Sequence, residues 1–473
     1  MNNAVLIFFN RLIIVYVFLL CITYLLLFFA AFFRLKREIG LHKIEPYKRL
    51  KESAFTAPLS ILVPVYNEEV GVIGTILSLV TGSGRLDYPQ FEVIVINDGS
   101  KDLTLQKVID RFEMKVMKHK VIQKRNGIST KKVRNVYQSA IYPFLYLIDK
   151  ENGGKADALN AGINLSNYPY FASIDGDTIL DTDSFLKIMK PIIENSDEEI
   201  IAIGGNVLIA NGSHVSHGKI NEMRLTKHPL VIMQIIEYVR AFLIGRIGLS
   251  QKNLLLIISG AFGVFNTSRV IQVGGYLTNT IGEDMELVVR LHEKNIEHKW
   301  GARIEYVADP VCYTEAPESF AVLRTQRVRW HRGLFESLWA HRKMIFNFKY
   351  GAIGFVAMPY FLFVEFFGPI IECLGYFTLI FNIFSQDVNI LYSFLLLVLM
   401  IFYGSFLSVG AVLLEEWRID KYQSIRELNR LFLFALSEAF WYRPIITYWR
   451  VKATFSILLG KSQGWGEMKR KGM

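Results

Sequence analysis

Apolar and polar positions divide this chain into textures that repeat in a fixed order. Leu12 to Phe33 carries no charge and is long enough for one helical membrane crossing, which needs ~20 residues. It is too long for a signal-peptide core and has no small-residue cleavage site, so it reads as a retained anchor. From Pro58 short apolar runs alternate with helix-like stretches. Leu59–Tyr66, Phe91–Ile96, Phe144–Ile148 and Tyr170–Ile174 are predicted strands, with helices following the first two and Gly154–Leu165 preceding the last. The basic segment Lys115–Arg134 reads as an inserted loop or hairpin. Strand–helix alternation of this kind predicts an α/β unit with a mostly parallel sheet, whose ligands bind beyond the carboxyl ends of the strands. After Lys349 the lipid texture returns in Ile353–Phe384, Val388–Leu414 and Leu431–Trp449, the last interrupted by Glu438, Arg443 and Pro444. Glu365, Glu372 and Glu438 are costly in lipid and are expected to face a bundle interior or channel.

Charge adds an orientation. Only Arg11 precedes the first apolar run, whereas Arg34, Lys36, Arg37, Lys43, Lys48, Arg49 and Lys51 follow it. That asymmetry places the chain start outside and the next domain in the cytosol. The basic tail 461–473 stays cytosolic by the same rule, which asks for an even number of later crossings. The expected layout is an anchor at 1–37, a cytosolic domain at 53–345 with an interfacial helix at about 320–345, membrane or interfacial helices at 350–460, and the tail. A multi-pass protein of the plasma or inner membrane follows.

Composition agrees: 52% of the 473 residues are hydrophobic, and the net charge of +10 suits anionic headgroups or an anionic substrate. No dense basic block lies away from the membrane-flanking segments, so nucleic acid is not an expected partner. Cys21, Cys312 and Cys373 are too scattered for a metal motif or a disulfide framework.

Candidate chemistry gathers at strand ends. Tyr170–Ile174 runs into Asp175-Gly-Asp177, whose carboxylates fall on one side of an extended chain. They suit a hard cation such as Mg2+ or Mn2+ held jointly with substrate phosphates, or they form a plain turn. Asn97-Asp98-Gly-Ser is likewise a turn or a nucleotide contact, with Asp98 on a base or ribose. Pro64-Val-Tyr66-Asn-Glu68 on the neighbouring strand end would complete that pocket. Gly153-Gly-Lys155 opens a helix, where a lysine is misplaced unless an anion lies nearby. Glu283 and Asp284 begin an amphipathic helix, as dipole-stabilised acids or as a general base. Ser259-Gly-Ala-Phe-Gly263 ahead of them is a small-residue turn that permits close approach or tight packing. In Arg324-Thr-Gln-Arg-Val-Arg-Trp-His-Arg-Gly333, helical spacing puts Gln326, Arg329 and Trp330 on one face. Arginine offers a phosphate clamp and tryptophan a sugar platform, while a basic helix lying on the membrane is the plainer alternative.

In this order, the motifs Asn-Asp-Gly, Asp-Gly-Asp, Gly-Glu-Asp and Gln-Arg-Val-Arg-Trp resemble those of processive membrane family-2 glycosyltransferases, such as cellulose, hyaluronan and poly-N-acetylglucosamine synthases. The resemblance covers Pro58 to about Leu338. It implies a GT-A, Rossmann-like catalytic domain between membrane helices, a UDP-sugar donor, and Mg2+ or Mn2+ on Asp175 and Asp177. Pro64, Tyr66, Glu68, Asp98, Lys155 and Asp175 would then line the donor site, and Asp284 would be the catalytic base. Gln326, Arg329 and Trp330 would hold the acceptor end and the diphosphate. The implied activity is inverting transfer of N-acetylglucosamine or glucose onto a growing β-linked polysaccharide, extruded across the bilayer, with room for an accessory export subunit. Single addition to a glycolipid acceptor, and a nucleotide-binding transporter or scaffold, are the competing readings. Gly282-Glu-Asp differs from the Thr-Glu-Asp of cellulose synthases and the Gly-Asp-Asp of hyaluronan synthases, and the layout leans towards bacterial N-acetylglucosamine polymerases. No Arg-rich segment for a cyclic dinucleotide is present.

Overall fold

The computed structural model describes residues 3–42, 48–53, 56–81, 86–117, 127–176, 178–194, 198–216, 219–384, 390–419 and 424–460. Asp177, part of the Lys115–Arg134 insertion and the basic tail lie outside the described residues. The chain forms two compact units. Among the described residues, a helical unit takes in residues 3–39, Arg224–Leu254 and 316–460, and a sheet unit takes in residues within 40–223 and Leu255–Glu315.

Twelve strands are described in the sheet unit: β1 Leu59–Val65, β2 Phe91–Asn97, β3 Met114–Val116, β4 Val133–Ser139, β5 Leu145–Lys150, β6 Tyr170–Ile174, β7 Ile179–Leu180, β8 Ile200–Ile209, β9 His214–Ser216, β10 Lys219–Glu222, β11 Phe262–Asn266 and β12 Arg303–Thr314. Ten of them form one sheet in the order β3-β4-β5-β2-β1-β6-β11-β8-β12-β7, and β9 and β10 pair separately. Strands β5, β2, β1 and β6 run parallel in the middle. They are buried almost end to end, as continuous apolar runs require when both faces are covered. The helix Lys155–Leu165 packs closely on this core: a Cβ at Gly162 would sit 3.0 Å from Leu62 and 3.1 Å from Ile96 side-chain carbons.

The sheet is mixed rather than mostly parallel. β11 runs antiparallel to both β6 and β8, and the strands β3 and β4 on either side of the basic segment pair antiparallel. The strand–helix rhythm that predicts parallel pairing stops at Ile174, and an apolar run alone carries no direction. The fully buried β8 and the long β12 were not singled out by periodicity.

In the helical unit the N-terminal helix extends over Asn3–His42 and contains an apolar stretch, Phe8–Glu38, long enough to cross a membrane. Leu391–Arg418 meets the same test, and Ile353–Phe366 with Gly368–Asn382 forms a pair bent by 40° that could count as one more span. Ile13, Val17, Leu20 and Cys21 of the first helix form a buried cluster with Leu396, Met400, Tyr403 and Leu407. The expected third apolar segment, Leu431–Trp449, is instead broken around Glu438–Phe440 into the helices Ile425–Ser437 and Tyr442–Leu458. The charges of this segment find partners inside the unit. Glu438 pairs with Arg240 at 2.6 Å, and Arg443 with Glu372 at 2.6 Å. Glu365 accepts from the hydroxyls of Tyr24 at 3.1 Å and Tyr360 at 3.2 Å. Acids inside an apolar bundle persist only when paired in this way.

Candidate active site

Parallel pairing brings the carboxyl ends of β1, β2 and β6 to one edge of the sheet. Val65 registers with Asn97, so Tyr66 and Asp98 leave adjacent strands side by side. Tyr66 is 44% exposed, whereas Asp98 is buried. The Asp98 carboxylate accepts from the backbone N–H of Gly153 at 3.0 Å and of Gly154 at 2.7 Å, and pairs with the ammonium of Lys150. Lys150 is wholly buried and also meets Asp157 at 2.6 Å. Asp98 thus shapes the turn into the Lys155 helix, where Gly154 adopts φ +86°, a conformation that favours glycine. A nucleobase at Asp98 would share its oxygens with these donors. Pro64 lies opposite Ile96 in the β1–β2 register, and the Glu68 N–H donates to Thr104 Oγ1 at 2.9 Å.

The Lys155 side chain reaches across the edge of the sheet. Its Nζ lies 2.5 Å from Asp175 Oδ1 and donates to the Gly260 carbonyl at 2.9 Å. The Gly260 N–H in turn donates to Asp284 Oδ2 at 3.2 Å, and the Met285 N–H donates to Asp284 Oδ1 at 2.8 Å. One peptide segment therefore joins the candidate cation to the candidate base. A Cβ at Gly260 would come within 3.2 Å of Lys155 Nζ and 3.4 Å of Asp284 Oδ2, so only glycine leaves this approach unobstructed. Asp284 occupies the first turn of the helix Glu283–Glu297. Behind it, Asn160 exchanges two 2.8 Å hydrogen bonds with the Tyr276 backbone, and Arg290 donates to the carbonyls of Val273 and Gly275 at 2.6 Å. These bonds hold the loop that leads to Gly282.

Burial pulls the Lys155 ammonium down, but Asp175, Glu283 and Asp284 outweigh it and keep it above the ordinary lysine range. Burial pushes the Glu283 carboxyl up to about 7, aided by Asp284 and opposed by Lys155. Unfolded, the same carboxyl titrates at about 4.3. The folded state therefore binds the proton more tightly. This contribution is complete below the unfolded value and is lost as pH rises through about 7. Glu283→Gln should accordingly flatten the fall in melting temperature between about pH 5 and about pH 8, as thermal unfolding across that range would reveal.

Asp175 offers a hard oxygen ligand and already faces a cation. Among the described residues no cluster of three or more His, Cys, Asp or Glu could hold a metal ion. An oxygen ligand of this kind suits a hard ion such as Mg2+ or Mn2+.

The structure thus assembles Lys155, Asp175 and Asp284 in the sheet unit, and sets Tyr66 beside Asp98 at neighbouring strand ends. Gln326, Arg329 and Trp330 belong to the helical unit, on the helix Phe320–Ala340, whose start is capped by Ser319 Oγ accepting from the Val322 N–H at 3.3 Å. Gln326 is buried and Trp330 is 44% exposed. Periodicity and motif spacing do not single out Lys150, Asp157, Glu237 or Arg327, and they mark Gly260 only as part of a small-residue turn. An ionisable residue ending the apolar strand β5 was the available signal for Lys150.

Two family models match the chain: glycosyl transferase family 2 over residues 60–230, and glycosyl transferase family group 2 over residues 170–407, half of its length. This chain belongs to the family-2 glycosyltransferases. Within the family it is similar to the poly-β-1,6-N-acetyl-D-glucosamine synthase of Staphylococcus epidermidis, 32% identical over 302 residues, which are 63% of this chain and 60% of the relative. The synthase of that name from Staphylococcus aureus (strain COL) is 32% identical over 284 residues, or 59% of this chain and 55% of the relative. The chain therefore spans less than two thirds of the length of these relatives. Among solved structures it is similar to the mannosyltransferase PcManGT from Pyrobaculum calidifontis in complex with GDP-Man and Mn2+, with a TM-score of 0.53 and 16% identity, covering 95% of this chain and 100% of that one. At that identity the likeness is one of fold. This family-2 glycosyltransferase has the GT-A fold, with its mixed sheet in one unit and the candidate membrane helices in the other.

Proposed function

We propose that this chain is an inverting, membrane-bound hexosyltransferase. It would move a sugar from a UDP-sugar to the end of a growing β-linked polysaccharide and pass the product across the bilayer. N-acetylglucosamine is the sugar that the two synthase relatives favour by name, and they support polymerisation over single addition or a non-enzymatic scaffold. The observation that carries the reading is the Lys155–Gly260–Asp284 link beside Asp175, which sets a phosphate cation and a base on either side of one backbone segment.

In this reading Tyr66 packs on the base, while Asp98, Pro64 and Glu68 complete the nucleotide pocket. Asp175 and Asp177 hold the divalent ion, which when bound neutralises charge on the diphosphate. Lys155 is relieved of part of its hold on Asp175 and faces the same phosphates, where it offsets charge as the C1–O bond to UDP breaks. Asp284 takes the proton from the acceptor hydroxyl as that oxygen bonds to C1 from the opposite side, so an α-linked donor yields a β-linked product. Both Asp284 oxygens are held by one backbone N–H each and keep a lone pair for the proton. The diphosphate needs no acid on leaving, because Lys155 and an ion that Asp175 and Asp177 would hold would offset its charge. Gln326, Arg329 and Trp330 hold the acceptor end. The sheet unit is cytosolic, and the helical unit is multi-pass in the cell membrane, open to an export partner.

The test is UDP release by the purified chain in lipid with Mg2+ or Mn2+ against a panel of UDP-sugars, with the product sized on a gel. A long polymer from UDP-N-acetylglucosamine is the expected result. Short, lipid-soluble product would move the assignment to single addition, and silence with every UDP-sugar would overturn the donor class.

A further inference from the structure

Arg327 lies inside the Gln326–Trp330 motif, yet it is buried, being 3% exposed. Its guanidinium bonds on three sides within the helical unit. Nη2 meets Glu237 Oε2 at 2.7 Å, Nη1 donates to Gln326 Oε1 at 2.7 Å, and the group lies over the Trp330 ring, 4.3 Å from its centroid. Glu237 comes from a different helix, Pro229–Val239, and the same carboxylate oxygen accepts from the Tyr442 hydroxyl at 2.6 Å. Tyr238, the next residue, packs its ring 6.4 Å from that of Trp330.

A buried ion pair is a poor source of stability, because desolvating both charges offsets most of their attraction. What the pair supplies is direction. A guanidinium is a rigid fork that only donates, so clamping one arm on Glu237 sets the plane and the aim of the other. The second arm needs an oxygen, which turns the Gln326 amide so that its NH2 faces away from Arg327. The cation above the indole restrains the Trp330 ring in the same stroke.

We propose that Glu237, acting through Arg327, is a positioning residue for the acceptor end of the sugar chain, presetting the Gln326 amide as a donor and the Trp330 ring as a platform. This rests on the reading that Gln326 and Trp330 touch the acceptor. Glu237 itself touches no substrate, and Tyr442 shares its task by holding the carboxylate.

The experiment uses the full chain in lipid with UDP-N-acetylglucosamine and a short β-linked N-acetylglucosamine oligosaccharide as acceptor. Glu237→Gln removes the charge and keeps the shape, and Arg327→Lys keeps the charge and loses the fork. Each should raise the acceptor KM by about tenfold and shorten the product, with the donor KM unchanged, as expected for one misdirected hydrogen bond. The double variant Glu237→Gln with Arg327→Met leaves neither partner of this pair as an unpaired buried charge. It should fold even where a single variant does not, and should remain impaired like the singles. An unchanged acceptor KM in the folded variants would overturn the proposal, as would equal rises in donor and acceptor KM, or recovery in the double variant. Trp330→Ala separates the two levels: a normal acceptor KM in that variant defeats the acceptor reading, whereas a raised one beside a normal Glu237→Gln defeats the positioning alone.

Discussion

Asp284→Asn should lower UDP release by about 10³-fold while leaving UDP affinity within about twofold of the parent. Asparagine keeps the size of the side chain, and its amide oxygen can still accept from the Gly260 or the Met285 N–H, the two backbone donors that now hold the carboxylate at 3.2 and 2.8 Å. What it loses is the capacity to accept a proton. A general base typically contributes 10²- to 10⁴-fold, and its removal acts on the chemical step rather than on donor binding. The two quantities separate cleanly, since turnover is read from UDP release and affinity from calorimetry with UDP and Mg2+. Full turnover in this variant would mean that the base lies elsewhere, and Glu283, its buried neighbour, would be the next group to test.

Lys155→Met should weaken UDP binding by about 10- to 100-fold, the worth of a charge-assisted bond of about 1.5–3 kcal/mol. The reason lies in the company Lys155 keeps. Asp175, Glu283 and Asp284 all bear on it, and it is the cation that offsets them in the absence of ligand. Without it, an incoming diphosphate meets carboxylates with less compensation. The rate should fall as well, because the leaving group builds charge as the bond to C1 breaks, and losing one such stabilising group commonly costs about 10²- to 10³-fold. A second signature follows from Glu283. Lys155 now holds that carboxyl down against burial and Asp284, so its removal should carry the Glu283 titration above about 7. The pH range over which the melting temperature falls should move upward with it. Unchanged affinity and rate would restrict Lys155 to neutralising Asp175.

Much of this protein was legible along the chain. Continuous apolar runs marked β1, β2, β5 and β6, since a strand covered on both faces must be apolar throughout. Polar residues at the ends of those runs marked Tyr66, Asp98 and Asp175 as edge groups. Gly154 announced the start of the Lys155 helix, and Gly282 with two acids that of the Asp284 helix. The uncharged stretch near the N-terminus announced an apolar helix. Each of these is a local property, fixed by neighbours a few residues away.

Only the tertiary structure decided the direction of β11, because an apolar strand pairs either way until its neighbours are known. It also decided that Gly260 should join Lys155 to Asp284, and that Lys150 should be buried between Asp98 and Asp157. The pairing of Glu237 with Arg327 is of the same kind, as is the threading of Arg224–Leu254 out of the sheet unit and into the helical one. Periodicity records which face of an element is apolar. Which distant charge will meet a given side chain depends on how the elements close on one another, and no local pattern carries that information.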